Sequence, residues 1–151
     1  MNMDYFENLL REFGSNIGMH NLSFEQDDLC YLTINQTHPI IIRRDYSREC
    51  LVLIGPVAVS LPEQINRSLW IEMISMGLTP LRDNAPGLGF DAESGHVLIH
   101  QSIPLRELNA HQLSKAFDGF LLAQISWSKK LETGSNSNSK DRKNLEFHEI
   151  I

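Results

Sequence analysis

Six histidines, two cysteines and nineteen acidic side chains give this 151-residue chain the means for chemistry, so their spacing is the first question. His96 and His100 lie four apart in an apolar run that reads as a strand. Four strand residues span roughly 13 Å, too far for both rings to reach one zinc ion. They read as half-exposed polar residues beside Ser102. Cys30 and Cys50 have no CxxC partner, which removes a zinc knuckle. The glycines of GLGFDAESG (residues 87–95) lack the third step and the following helix of a phosphate loop. Asp27–Asp28 and Asp91–Glu93 are paired acids near strand ends. Such pairs do acid–base work only in a cleft that shifts their pKa values; without one they form a solvated face. Arg43, Arg44 and Arg48 are the basic cluster of the folded part, and beside Asp45 and Glu49 they read as a salted strand edge. No catalytic constellation, metal-ligand set or cofactor site emerges.

Composition points the same way. The formal charge of −6 argues against a partner whose phosphates must be neutralised, so no nucleic acid is expected. A hydrophobic content of 42% suits one globular domain with a real core. That domain is read as residues 1–133, with residues 134–151 a flexible polar tail (GSNSNSKDRKN) ending in the apolar-containing LEFHEII. Three acids and three bases fall in the tail, so the domain carries the whole negative excess. Cys30 and Cys50 adjoin apolar runs and read as buried reduced thiols, with a disulfide as the alternative. The opening MNMDYFENLLREF has acids where a signal peptide needs a basic lead. No window approaches the roughly 18 apolar residues of a membrane span. A soluble cytoplasmic protein without membrane insertion is expected, in which the N-x-S/T sites at Asn21, Asn35 and Asn66 carry no meaning as glycosylation sites.

The elements follow from periodicity. Phe6, Leu9, Leu10, Phe13 and Ile17 share one face of a first helix, with Asp4 and Glu7 spaced as a capping pair and Gly18 closing it. Residues 29–35, 39–46 and 50–59 read as three antiparallel strands joined by short polar links. Their apolar residues fall on both faces: Ile40 and Ile42 oppose Ile41, and Leu51 and Leu53 oppose Val52 and Ile54. Gly55–Pro56 marks a bulge or bend. Ser60, with Pro62 and Glu63 in capping-box spacing, predicts a second helix over residues 60–76, stopped by Gly77. A short strand near 88–92, a turn at Ser94–Gly95 and a strand over 97–103 come next. Pro104 stops that strand, Asn109 caps a last helix, and Leu113, Ala116, Phe117, Phe120, Leu121, Trp127 and Leu131 recur on its buried stripe. The fold class is α+β: α-β-β-β-α-β-β-α, one antiparallel, twisted sheet packed by helices.

The end of the second helix is the most informative stretch. Between Ser68 and Met76 the polar residues Ser68, Glu72 and Ser75 form one narrow strip. Leu69, Trp70, Ile71, Met73, Ile74 and Met76 cover the rest of the circumference. A sheet buries one side of a helix, so the other side asks for a second surface, read here as self-association. A central helix within one large core is the alternative.

Taken together, the pattern resembles the class I chaperones of type III secretion, the Tir-chaperone family, over about residues 4–132. The resemblance rests on small size, acidity, element order and three stretches: YFENLLREFGSNIGM, LSFEQDDLCYLTIN and SIPLRELNAHQLSKAFDGFLLAQISW. It implies a homodimer that holds the N-terminal segment of a secreted effector extended before export, without hydrolysing nucleotide. By resemblance, the dimer contact falls on Leu69, Trp70, Met73 and Ile74. The effector segment would lie against Phe6, Leu9, Leu10 and Phe13 and against Leu32, Ile34, Ile40, Ile42, Val52 and Ile54, partly as an added strand. The secretion-associated ATPase is a further implied partner. Parity alone leaves open which sheet face is core and which is groove. Two other classes stand beside this reading: a small ligand-binding domain or enzyme with its pocket between sheet and helices, and a dimeric adaptor that unfolds nothing.

Overall fold

The computed structural model describes residues 2–106 and 108–133, with side chains from Tyr5 onward; the expected tail, 134–151, lies outside the described residues. Five strands, β1 (Leu29–Ile34), β2 (His38–Asp45), β3 (Cys50–Ala58), β4 (Gly87–Phe90) and β5 (Val97–Pro104), form one sheet. Its order is β1-β2-β3-β5-β4 and every pair is antiparallel. Around it stand α1 (Asn2–Asn16), α2 (Arg67–Met76), the short α3 (Thr79–Arg82) and α4 (Ala110–Thr133). The α+β class and order match the reading of the sequence, with α3 added.

Local chemistry explains the joints. Asn35 and Gln36 both take positive φ at the centre of the turn that the Thr37 N–H closes onto the Ile34 carbonyl at 3.1 Å, within the three residues linking the paired Ile34 and His38. Gly18 (φ 76°) ends α1 in the left-handed conformation, and the chain folds back so that the Met19 N–H donates to the Gly14 carbonyl at 2.7 Å. Asn109 and Gln112 cap α4 reciprocally: Asn109 Oδ1 accepts from the Gln112 N–H at 2.8 Å, and Gln112 Oε1 from the Asn109 N–H at 3.0 Å.

The main core lies between one sheet face and the pair α1 and α4. Phe6, Leu10 and Phe13 from α1, and Leu113, Phe117 and Phe120 from α4, close over Ile40, Ile42, Leu51, Leu53 and Ile99. Phe13 and Phe117 meet edge-on with ring centroids 5.0 Å apart. Burying such side chains contributes about 1.5–3 kcal/mol each, which makes this layer the main source of stability. Trp127 and Leu131 extend the α4 stripe to its last turn.

One polar side chain is built into this layer. Gln124 is buried on α4, and its Nε2 donates to the carbonyls of Pro39 (2.9 Å) and Pro56 (3.1 Å). The β2–β3 ladder ends at Ile41↔Ile54, so these two carbonyls lie where the strands part. Gly55 makes room for the amide: a Cβ there would stand 2.6 Å from Gln124 Nε2. The register then shifts between Pro56 and Ala58, the irregularity that Gly55–Pro56 had signalled.

One expectation about the second helix is corrected. It begins at Arg67, not Ser60, because Asn66 is the side chain that caps: its Oδ1 accepts from the Leu69 N–H at 2.8 Å. Gly77 follows its last residue, Met76, as the C-cap, as expected, though not in a left-handed turn. Its φ is −64°, and the chain turns on through Leu78 into α3, with Pro80 in the first turn.

Candidate interaction surfaces

Side chains alternate across a strand, so the register gives the second sheet face directly. One row across it reads Leu29, Arg43, Val52, Ser102; the next reads Tyr31, Ile41, Ile54, His100. A third reads Thr33, Pro39 on β1–β2, and Pro56, Leu98 on β3–β5. Leu29, Ile41, Ile54 and Leu98 form an apolar cluster of their own, with Tyr31 and Val52 packed against it. No helix residue belongs to that cluster. The four members are buried, though no residue of α1, α2 or α4 joins them; α3 reaches this otherwise helix-free face at Pro80, beside His100, and β1 is an edge strand of the sheet.

The sequence reading spread its groove residues over both faces. Phe6, Leu9, Leu10 and Phe13, with Leu32, Ile40 and Ile42, lie in the main core, and Ile34 packs partly buried against it. Val52 and Ile54 lie on the helix-free face. Leu29, Ile41 and Leu98, which complete that cluster, were not among the effector-binding residues read from the sequence. Ile41 was visible in the sequence as the isoleucine opposed to Ile40 and Ile42.

A second surface surrounds α2. Leu69 and Met73 are buried against the main core, while Trp70, Ile71 and Ile74 are exposed. Leu78, Leu81 and Phe90 extend the patch over α3 and β4; Leu81 is 82% exposed and Ile74 68%. β4, the other edge of the sheet, adjoins α2. Lys130 of α4 donates to Glu72 at 3.1 Å and stands over the Trp127 ring, tying the far end of α4 to α2. The two sides of α2 are thus divided, one on its own core and one on solvent.

The residues first weighed for chemistry have structural work. Asp27 Oδ1 accepts from the Leu29 N–H at 3.2 Å, and Asp91 Oδ2 accepts from the Ser94 hydroxyl at 2.8 Å, so both acids shape turns. Arg44 is not on a salted edge, because β2 is an inner strand. Its side chain is nine-tenths buried, with the guanidinium 2.9 Å from Asp28 and 3.7 Å from Glu7 of α1, over the rings of Phe24 and Tyr46. His100 is half-buried as expected, but His96 is buried at the base of the β4–β5 turn, where its carbonyl accepts from the Asp91 N–H. No group of three metal-donor side chains occurs among the described residues. Cys30 and Cys50 are free and buried, on opposite faces of the sheet. Burial raises both thiols, Cys30 to about 11.

On the helix-free face, beyond the apolar cluster, lies a depression of about 290 Å³ lined in part by His100, Ser102 and Arg48. Pro80 of α3 and the loop residues Asp83, Asn84 and Ala85 form its other wall, so it lies between the sheet and α3, outside the main core. No described helix is long and apolar enough to cross a membrane.

Comparison with known proteins settles the family. The model of the Tir chaperone protein (CesT) family matches residues 8–128. The chain belongs to this family. Its fold is also that of solved structures of the secretion chaperones. A chain of the HopA1–SchA chaperone–effector complex is similar at 29% identity, with a TM-score of 0.72 over 83% of this chain and 94% of that one. A chain of the ExsC–ExsE complex shares 20% identity and a TM-score of 0.71, over 85% and 94% of the two chains. A chain of the ExoT–SpcS complex from Pseudomonas aeruginosa shares 19% and 0.61, over 83% and 98%. No curated protein matches by sequence. The family assignment now stands beside a second apolar cluster, on the sheet face opposite the main core.

Proposed function

We propose that this protein is a cytoplasmic type III secretion chaperone that binds the N-terminal segment of secreted effectors in extended form. It keeps them soluble and fit for export without hydrolysing nucleotide or performing other catalysis. The observation that carries this reading is the apolar cluster Leu29, Ile41, Ile54 and Leu98 on the sheet face opposite the main core, in a chain of the Tir chaperone family. An extended client loses ordering entropy on binding, so it needs a long surface with several apolar contacts rather than one cleft. The client lies across this face, with Val52 and Ile54 among its contacts, and adds a strand beside β1. The core residues Phe6, Leu9, Leu10, Phe13, Leu32, Ile40 and Ile42 shape the groove from beneath, because they hold the sheet.

The working unit is a homodimer joined through α2. Trp70 and Ile74 reach the second copy directly, with Ile71 beside them, and Leu69 and Met73 seat the helix on its own core. The acidic charge keeps a protein with such apolar surfaces in solution. The secretion-associated ATPase would receive the loaded complex. The test is co-expression with candidate secreted proteins followed by limited proteolysis. The expected result is protection of one client's N-terminal segment; digestion of every candidate at the rate of the free protein would refute the reading.

A further inference from the structure

The depression on the helix-free face differs in chemistry from the apolar cluster beside it. Val52 stands opposite Ser102 and Ile54 opposite His100, so the cluster runs into it without a break. Cys50, Pro80, Ala85 and Pro104 give it apolar walls; Arg48, Asp83, Asn84, His100 and Ser102 give it polar ones. The charges there nearly cancel. Arg48 lies 4.0 Å from Asp45 and lines the depression together with Asp83, while burial favours the neutral form of His100. Neutral His100 and Ser102 each offer a donor and an acceptor. A carboxylate entering here would meet Asp83, and an ammonium would meet Arg48. An apolar side chain would strip water from His100 and Ser102 and return no hydrogen bond.

We propose that this depression is a specificity pocket that takes an uncharged amide side chain, Asn or Gln, from an extended client lying over the apolar cluster. The proposal rests on the chaperone reading above and deepens it. Side chains on one face of an extended chain repeat every two residues, about 6.6 Å, which matches the step from one row of the sheet face to the next. The amide therefore stands two positions from an apolar residue seated on Ile54. Its methylenes lie along Cys50 and Pro104, and its head bonds His100 and Ser102.

The test uses a phage-displayed library of random twelve-residue peptides, panned on the full chain. The expected outcome is enrichment of peptides with alternating apolar residues and an Asn or Gln two positions from one of them. On His100→Leu and Ser102→Val chains the apolar pattern should persist while the amide preference falls to background. Replacing the amide by Leu in a selected synthetic peptide should weaken binding to the unaltered chain about tenfold by fluorescence anisotropy, the loss of a hydrogen bond or two. That arm holds whether or not the variants fold. Apolar enrichment with no amide preference, or a Leu peptide that binds equally well, overturns the pocket and leaves the chaperone reading standing. No enrichment of any peptide overturns both.

Discussion

Gln124 shows how much one side chain can settle. Its amide is the donor for two carbonyls that the sheet leaves unpaired where β2 and β3 separate. Gln124→Leu keeps the volume and strands both carbonyls, at a cost of about 1–3 kcal/mol. Denaturant unfolding should show it as a lower midpoint with an unchanged slope. Gly55→Ala should destabilise as well, because the new methyl meets the same amide at 2.6 Å. Cys30 offers a check by pH. Its thiol is raised to about 11 in the fold from 9.0, so the folded state holds its proton longer than the unfolded one. Stability from this group is fully present below pH 9 and is lost as pH rises toward 11. Cys30→Ala should remove that part of the alkaline loss, as read by thermal melts across the window. Buried thiols were legible in the sequence from their apolar neighbours. The role of Gln124 was not, since a lone glutamine in a helical stripe carries no sign of which carbonyls it will meet 68 and 85 residues away.

Among the elements, the strands and the first and last helices were legible because their apolar periods are long and their caps conventional. The second helix was legible in kind but not in extent. Ser60, Pro62 and Glu63 have the spacing of a capping box, yet residues 59–66 form no helix and Asn66 supplies the cap. Two capping signals six residues apart compete, and local spacing does not reveal which one the tertiary packing of Leu69 and Met73 selects. The two-sided character of α2 was plain, however, because so few of its residues are polar. Placing a charge on its solvent side should separate the copies and spare the fold. Trp70→Glu is expected to run as a monomer by light scattering with its helix content unchanged. Leu69→Glu should instead unfold the chain, since that side chain is buried.

At the scale of the molecule, the sheet divides the work. One face is filled by α1 and α4 and holds the protomer together; the other has its own apolar cluster and meets α3 at Pro80, beside His100. In the sequence this appeared as apolar residues on both strand faces, and parity could not say which face the helices would take. The decision depends on long-range packing, Phe13 on Phe117 above all, that no local pattern encodes. Val52→Glu therefore separates the two roles, because Val52 packs on that face only partly buried: it should abolish client binding while the dimer, read by light scattering, persists. The most direct measurement is amide hydrogen exchange of the full chain alone and in complex with its secreted client. Slower exchange should concentrate on β1, whose outer edge would gain a strand, with α4 unchanged. Protection confined to α1 and α4, with β1 exchanging as in the free chain, would contradict the central claim that the helix-free face carries the client.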